Sequence, residues 1–75
     1  MKSSINLFSE KSGEIKKFLD LFYSQNLFIE NDLYYQKEFD SPIEMIDFIS
    51  CFIDNKEKFD ISLWISLDKD VYICV

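Results

Sequence analysis

Residues 61–75 read ISLWISLDKDVYICV, and how this stretch folds decides the architecture of the whole chain. Ile61, Leu63, Ile65 and Leu67 alternate with Ser62, Trp64 and Ser66, while Val71, Ile73 and Val75 alternate with Tyr72 and Cys74. A period of two marks strands with one buried face. Two such runs around a short polar segment make a hairpin, and the loop length fixes which side chains share a face. A three-residue loop of Asp68, Lys69 and Asp70 sets Leu67 opposite Val71 and Ile65 opposite Ile73. A two-residue loop sets Ile65 against Tyr72 and scrambles the two sets. A slip of one residue turns every side chain to the wrong face. The three-residue loop is therefore expected, although it lacks the glycine that usually eases such turns.

Upstream, residues 41–54 read SPIEMIDFISCFID. Ser41 is a natural N-cap, Pro42 suits the first helical position, and Glu44 sits where a capping box needs an acid. Around the helical wheel Met45, Ile46, Phe48, Ile49, Phe52 and Ile53 form the apolar side, and Ile43 widens it further. Glu44, Asp47, Ser50, Cys51 and Asp54 take the polar side. This face is wider than the usual stripe of ~100°, so contact on two flanks is expected, one against a sheet and one against another helix. The lysines of NKEK, residues 55–58, favour the end of the helix dipole.

Nearer the N-terminus, residues 4–9 alternate as a strand, with Ile5 and Leu7 on one face and Asn6 and Phe8 on the other. Residues 10–26 then put Ile15, Phe18, Leu19, Phe22 and Tyr23 within one arc, the pattern of an amphipathic helix. Ser12 is its expected N-cap and Asn26 its expected C′ residue. Residues 27–39, LFIENDLYYQKEF, read as strand, either split into a hairpin by a turn at Asn31 and Asp32 or running as a loop through residue 32 into one strand. The order is β-α-β(β)-α-β-β in a single domain, residues 1–75. The expected class is α+β: a two-layer sandwich with a mainly antiparallel sheet and two helices on one face. With the first hairpin split, it approaches a ferredoxin-like arrangement plus one strand.

Composition narrows the chemistry. The chain has 75 residues with eight Phe, four Tyr and one Trp, and its net charge is −6. All eight bases are lysine; there is no Arg and no His. Without Arg there is no planar fork for a phosphate, and without His no side chain titrates unperturbed near neutrality. The acidic balance repels nucleic acid and anionic lipid and attracts basic partners. No apolar run approaches the roughly 20 residues that span a bilayer, no signal peptide is visible, and a cytoplasmic location is expected. Two cysteines, Cys51 and Cys74, cannot close a zinc site without histidine, and free thiols are expected. With one Gly there is no phosphate-cradling loop. The carboxylates at 68 and 70 lack the further oxygens and the glycine of a calcium loop. No catalytic set, cofactor site or metal site is expected.

The stretches PIEMIDFISCFIDN (42–55) and WISLD (64–68), about a quarter of the chain, resemble a group of uncharacterised small α+β proteins from AT-rich Gram-positive bacteria. The resemblance implies no activity. It implies a further helix after the hairpin in those proteins, and here the sequence stops at Val75. A terminal strand of this kind is expected to pair with another copy or to precede a further segment.

If the helices pack on the Ile61, Leu63, Ile65 and Leu67 face, the other face carries Trp64, Tyr72, Cys74, Phe8 and one of Tyr34 or Tyr35. A contiguous apolar patch of this kind marks an interface, and Trp and Tyr are common anchors. The expected protein-binding residues are Trp64 and Tyr72 with the acids Asp68 and Asp70. The expected function is a small acidic protein-interaction module, of the inhibitor or antidote type, directed at a basic nucleic-acid-binding protein. The alternative is a self-assembling domain that binds a second copy of itself.

Overall fold

The computed structural model describes residues 3–11, 13–23, 28–31, 34–67 and 71–75, with backbone alone at 71 and 72. Five strands and two helices alternate: β1 (Ser3–Phe8), α1 (Glu14–Phe22), β2 (Ile29–Glu30), β3 (Tyr34–Phe39), α2 (Pro42–Asn55), a short 3-10 turn (Lys56–Lys58), β4 (Ser62–Leu67) and β5 (Val71–Cys74). They form one sheet in the order β2-β3-β1-β4-β5, and every neighbouring pair is antiparallel. The first strand in sequence thus lies at the centre. Strands β2-β3-β1-β4, with α1 and α2 as crossovers, follow the order of two interleaved split βαβ units, and β5 extends the sheet by one strand.

The C-terminal hairpin has the expected register, Leu67 opposite Val71 and Ile65 opposite Ile73. Its loop, residues 68–70, lies outside the described residues, as do Ser12 and Asn26. The first hairpin also forms: Ile29 faces Gln36, Glu30 faces Tyr35, and the Asn31 N–H donates to the Tyr34 carbonyl at 2.8 Å.

The period-two pattern sorts the two faces. Ile5, Leu7, Tyr35, Phe39, Leu63 and Ile65 point to one side and are buried there under Ile15, Phe18 and Leu19 of α1 and Phe48 and Phe52 of α2. Both helices therefore lie on one face. Their seam is aromatic: Phe18 meets Phe48 and Phe52 edge to face with ring centres 5.9 and 5.8 Å apart. Burial and the neighbouring Glu30 carboxylate, which its hydroxyl bonds, push the Tyr35 phenol up in pKa.

Helix ends are set locally. Ser41 caps α2 by accepting the Glu44 N–H at 3.4 Å, with Pro42 in the first turn. Of the two reciprocal bonds of a capping box, this is the one formed. Helix α1 begins after Gly13, whose φ of 84° is the left-handed conformation that glycine adopts without a Cβ penalty. Its first turn is tied to the approach to β4: the Asp60 N–H donates to Glu14 Oε1 at 3.3 Å. Ser3 Oγ, at the start of β1, lies 3.0 Å from the Met45 sulfur of α2.

The broad apolar face of α2 is only half covered. Phe48 and Phe52 are buried, but Ile43, Ile46 and Ile53 are 72%, 57% and 51% exposed. The first helix does not shield them, because it packs on the opposite flank of α2. The reason is geometric: two helices packed about 9 Å apart cover about four strands spaced 4.8 Å. The fifth strand and the neighbouring flank of α2 stay bare, and Ile73 on β5 is exposed as well.

Candidate protein-interaction surface

Side chains that alternate away from the core line the open face of the sheet. Cross-strand pairing arranges them in rows. Tyr34 of β3 stands opposite Phe8 of β1, and Phe8 opposite Ser62 of β4. The next row runs Ile29, Gln36, Asn6, Trp64, Cys74 across all five strands. A third runs Glu38, Ser4, Ser66 and, by backbone register, position 72. The centre is a shallow depression of ≈ 430 Å³ lined by Asn6, Phe8, Tyr34, Gln36, Trp64 and Ser66.

Trp64 is 42% exposed there, and Phe8, Tyr34 and Ile29 are exposed around it. Neither the Trp64 indole N–H nor the Tyr34 hydroxyl has a hydrogen-bond partner among the described residues, and each is a polar tip of the kind that pairs with a ligand. Between the rings lie Asn, Gln and Ser, short neutral groups that both donate and accept. Among the described residues of this face the single charge is Glu38, at its margin. That charge-poor centre contrasts with a chain in which 29% of residues are charged. Depletion of charge with enrichment of Trp, Tyr and Phe is the composition of interface cores, and acids at the edge suit a polar rim.

Trp64 occupies the expected position. Tyr72 falls on the same face by register, one row from Trp64, and its side chain lies outside the described residues, as do Asp68 and Asp70. Of Tyr34 and Tyr35, the register selects Tyr34 for the open face and buries Tyr35. Sequence reasoning put Asn6 on the Phe8 side of β1 but missed Ile29 and Gln36 as parts of the surface. The strand pairing that brings them beside Trp64 is long-range, and only the alternation within each strand is visible locally.

A second concavity lies on the other layer, between the helices. Glu44, Asp47, Phe48 and Cys51 project from α2 at helical spacing toward Phe18, Phe22 and Tyr23 of α1 and its end, around a groove of ≈ 290 Å³. Burial and the Glu44 charge push the Tyr23 phenol up in pKa, and burial and the Asp54 charge do the same for the Cys51 thiol. Both stay neutral near pH 7, which leaves Cys51 a poor nucleophile. Cys51 is half-buried and Cys74 exposed, and both are free thiols.

Among the described residues no group of three or more His, Cys, Asp or Glu is placed to hold a metal ion, and no helix is long and apolar enough to cross a membrane. No protein family, curated protein or solved structure matches this chain, so its surfaces are read from their chemistry alone.

Proposed function

We propose that the chain is a small acidic protein-interaction module that docks a basic protein on the open face of its sheet. The observation that carries this reading is the face itself: Phe8, Tyr34 and Trp64 set among neutral polar groups, with charge kept to the margin. Aromatic anchors in such a patch supply most of the binding energy. The net charge of −6 acts at longer range, steering a basic partner to the face and raising the association rate. In its most specific form the partner is a nucleic-acid-binding protein, and the module acts as its inhibitor or antidote by offering carboxylates in place of phosphates.

An aromatic sheet face also serves single-stranded nucleic acid, where bases stack on the rings. Those binders track the phosphate backbone with cations. Among the described residues Lys37 borders this face beside Ile29, Gln36 and Glu38, but the depression around Trp64 is lined by no lysine, and this speaks for a protein partner.

Calorimetric titration against a panel of basic nucleases and repressors, at rising salt, tests the reading. Trp64→Ala is expected to weaken binding by about 2 kcal/mol or more while far-UV circular dichroism stays unchanged. Affinity is expected to fall with salt. Wild-type affinity in both W64A and the F8S/Y34S double variant would overturn the assignment of this face. Salt-independent binding would remove the phosphate-mimic form of it.

One observation favours the alternative, self-association. Strand β5 ends the sheet with Ile73 exposed on it, and Ile46 and Ile53 are exposed on α2. An edge strand with exposed apolar side chains is a place for a second copy to add its own strand. Sedimentation across a dilution series separates the two readings by the sign of their salt response. Contact between two chains of like charge strengthens with salt, whereas contact with a basic partner weakens.

A further inference from the structure

The groove between the two helices has a chemistry that the open sheet face lacks. Its floor is aromatic: Phe18 and Phe48 are buried, and their rings meet edge to face. Phe22 and Tyr23 wall it, with Phe22 5.3 Å from Phe18 and Tyr23 5.1 Å from Phe48, centre to centre. On the α2 lip stand two exposed carboxylates, Glu44 and Asp47, three positions apart and hence on one side of the helix. Among the described residues no lysine pairs with either of them; the ion pair present joins Lys17 to Glu14. Tyr23 and Cys51 add no charge near neutrality. The groove therefore combines aromatic walls with an uncompensated charge of two acids.

We infer that this groove is a second binding site, which takes a lysine side chain presented by a basic protein partner. The alkyl stem lies on the Phe18 and Phe48 floor, where four methylenes leave water. The ammonium sits at the mouth between the Phe22 and Tyr23 rings and the two carboxylates. Ring quadrupole and carboxylate both favour a cation there, and each contributes more as the groove is dried by the ligand. An apolar side chain of the same length gains the floor and leaves the acids without a counterion. The inference rests on the reading of the chain as a binder of basic protein. It concerns different residues from the sheet face, so each fails separately.

The test uses n-butylammonium chloride, the lysine side chain without its backbone, against n-butanol as the neutral isostere at matched ionic strength. Two-dimensional NMR follows the amides and rings of Phe22, Tyr23, Glu44, Asp47 and Cys51. Butylammonium is expected to shift these signals in a saturable way, with a dissociation constant about tenfold lower than that of butanol. The E44Q/D47N double variant, altered on exposed carboxylates alone, is expected to bring the two constants together while the spectrum stays that of a folded protein. Equal constants for the two probes in the wild type would overturn the cation assignment. Shifts confined to Trp64 and Tyr34 would overturn the groove and leave the sheet face standing. No saturable shift from either probe would overturn the site altogether.

Discussion

Phe18 ties the helical layer together. Its ring lies 5.3 to 5.9 Å from those of Phe22, Phe48, Phe52 and Phe59, so one side chain links α1, α2 and the turn before β4. Truncation leaves a cavity bounded by rigid rings that cannot collapse into it. Phe18→Ala is expected to cost about 3–5 kcal/mol, enough to unfold much of a domain this small, and urea titration followed by circular dichroism measures it. Phe22, one turn along the same apolar arc, is 40% exposed instead. Periodicity names the arc but does not say where the partner helix crosses it, and here α2 meets α1 at Phe18. Glu14 carries a different kind of link. The Asp60 N–H and the Lys17 ammonium, 3.3 Å from a carboxylate oxygen, both hold its pKa below the ordinary value. A carboxyl whose pKa is lowered on folding stabilises the fold above its unfolded pKa, and that contribution is lost as pH falls through the folded value. The urea midpoint of E14Q is therefore expected to lie below that of the wild type at pH 7. The two are expected to converge at acid pH, below the carboxylate range. A gap that stays constant with pH would sink this account.

Helix α2 shows how far sequence pattern reaches at the scale of an element. Its start is legible in four letters, because capping chemistry is local: Ser41 accepts the Glu44 N–H and Pro42 follows it. Ser41→Ala is expected to cost about 1 kcal/mol in urea unfolding. Its breadth is legible too, as a row of isoleucines wider than one contact needs. What covers that breadth is not, because the answer depends on where β5 falls in the sheet, and strand order comes from pairings distant in sequence. The contacts expected on two flanks, sheet and first helix, both form; the isoleucines beyond them stay bare for this reason. Ile46 and Ile53 belong to the uncovered flank, so I46K and I53K are expected to change stability by no more than about 0.5 kcal/mol. Phe52, two turns from Met45 on the covered side, is 1% exposed, and F52K is expected to prevent folding because it buries a charge with no counterion. Chemical denaturation of the three variants compares them directly. The β4-β5 hairpin lies at the other extreme. Its register is readable from alternation, since the two-residue loop would set Ile65 against Tyr72 and put the two sets on opposite faces.

The whole molecule holds two kinds of surface in tension: the aromatic sheet face on one layer and the isoleucine flank on the other, both exposed, on a chain of net charge −6. At neutral pH like charge keeps copies apart. That brake comes from the excess of fourteen acids over eight bases. As pH falls the acids protonate, the net charge moves toward zero near the sequence pI of 4.4, and the exposed apolar surface is left unopposed. Light scattering at fixed concentration is therefore expected to rise steeply between pH 6 and the pI, and more steeply at low salt than a charge-neutral protein would show. The same experiment tells which surface is adhesive. If the open sheet face dominates, as the proposed function requires, the F8S/W64S double variant lowers the acid-side association while I46K/I53K changes it little beyond the two added charges. If instead the α2 variant abolishes association and the sheet-face variant leaves it intact, the adhesive surface is the flank beside β5, and self-assembly through that edge becomes the better account of what this chain does.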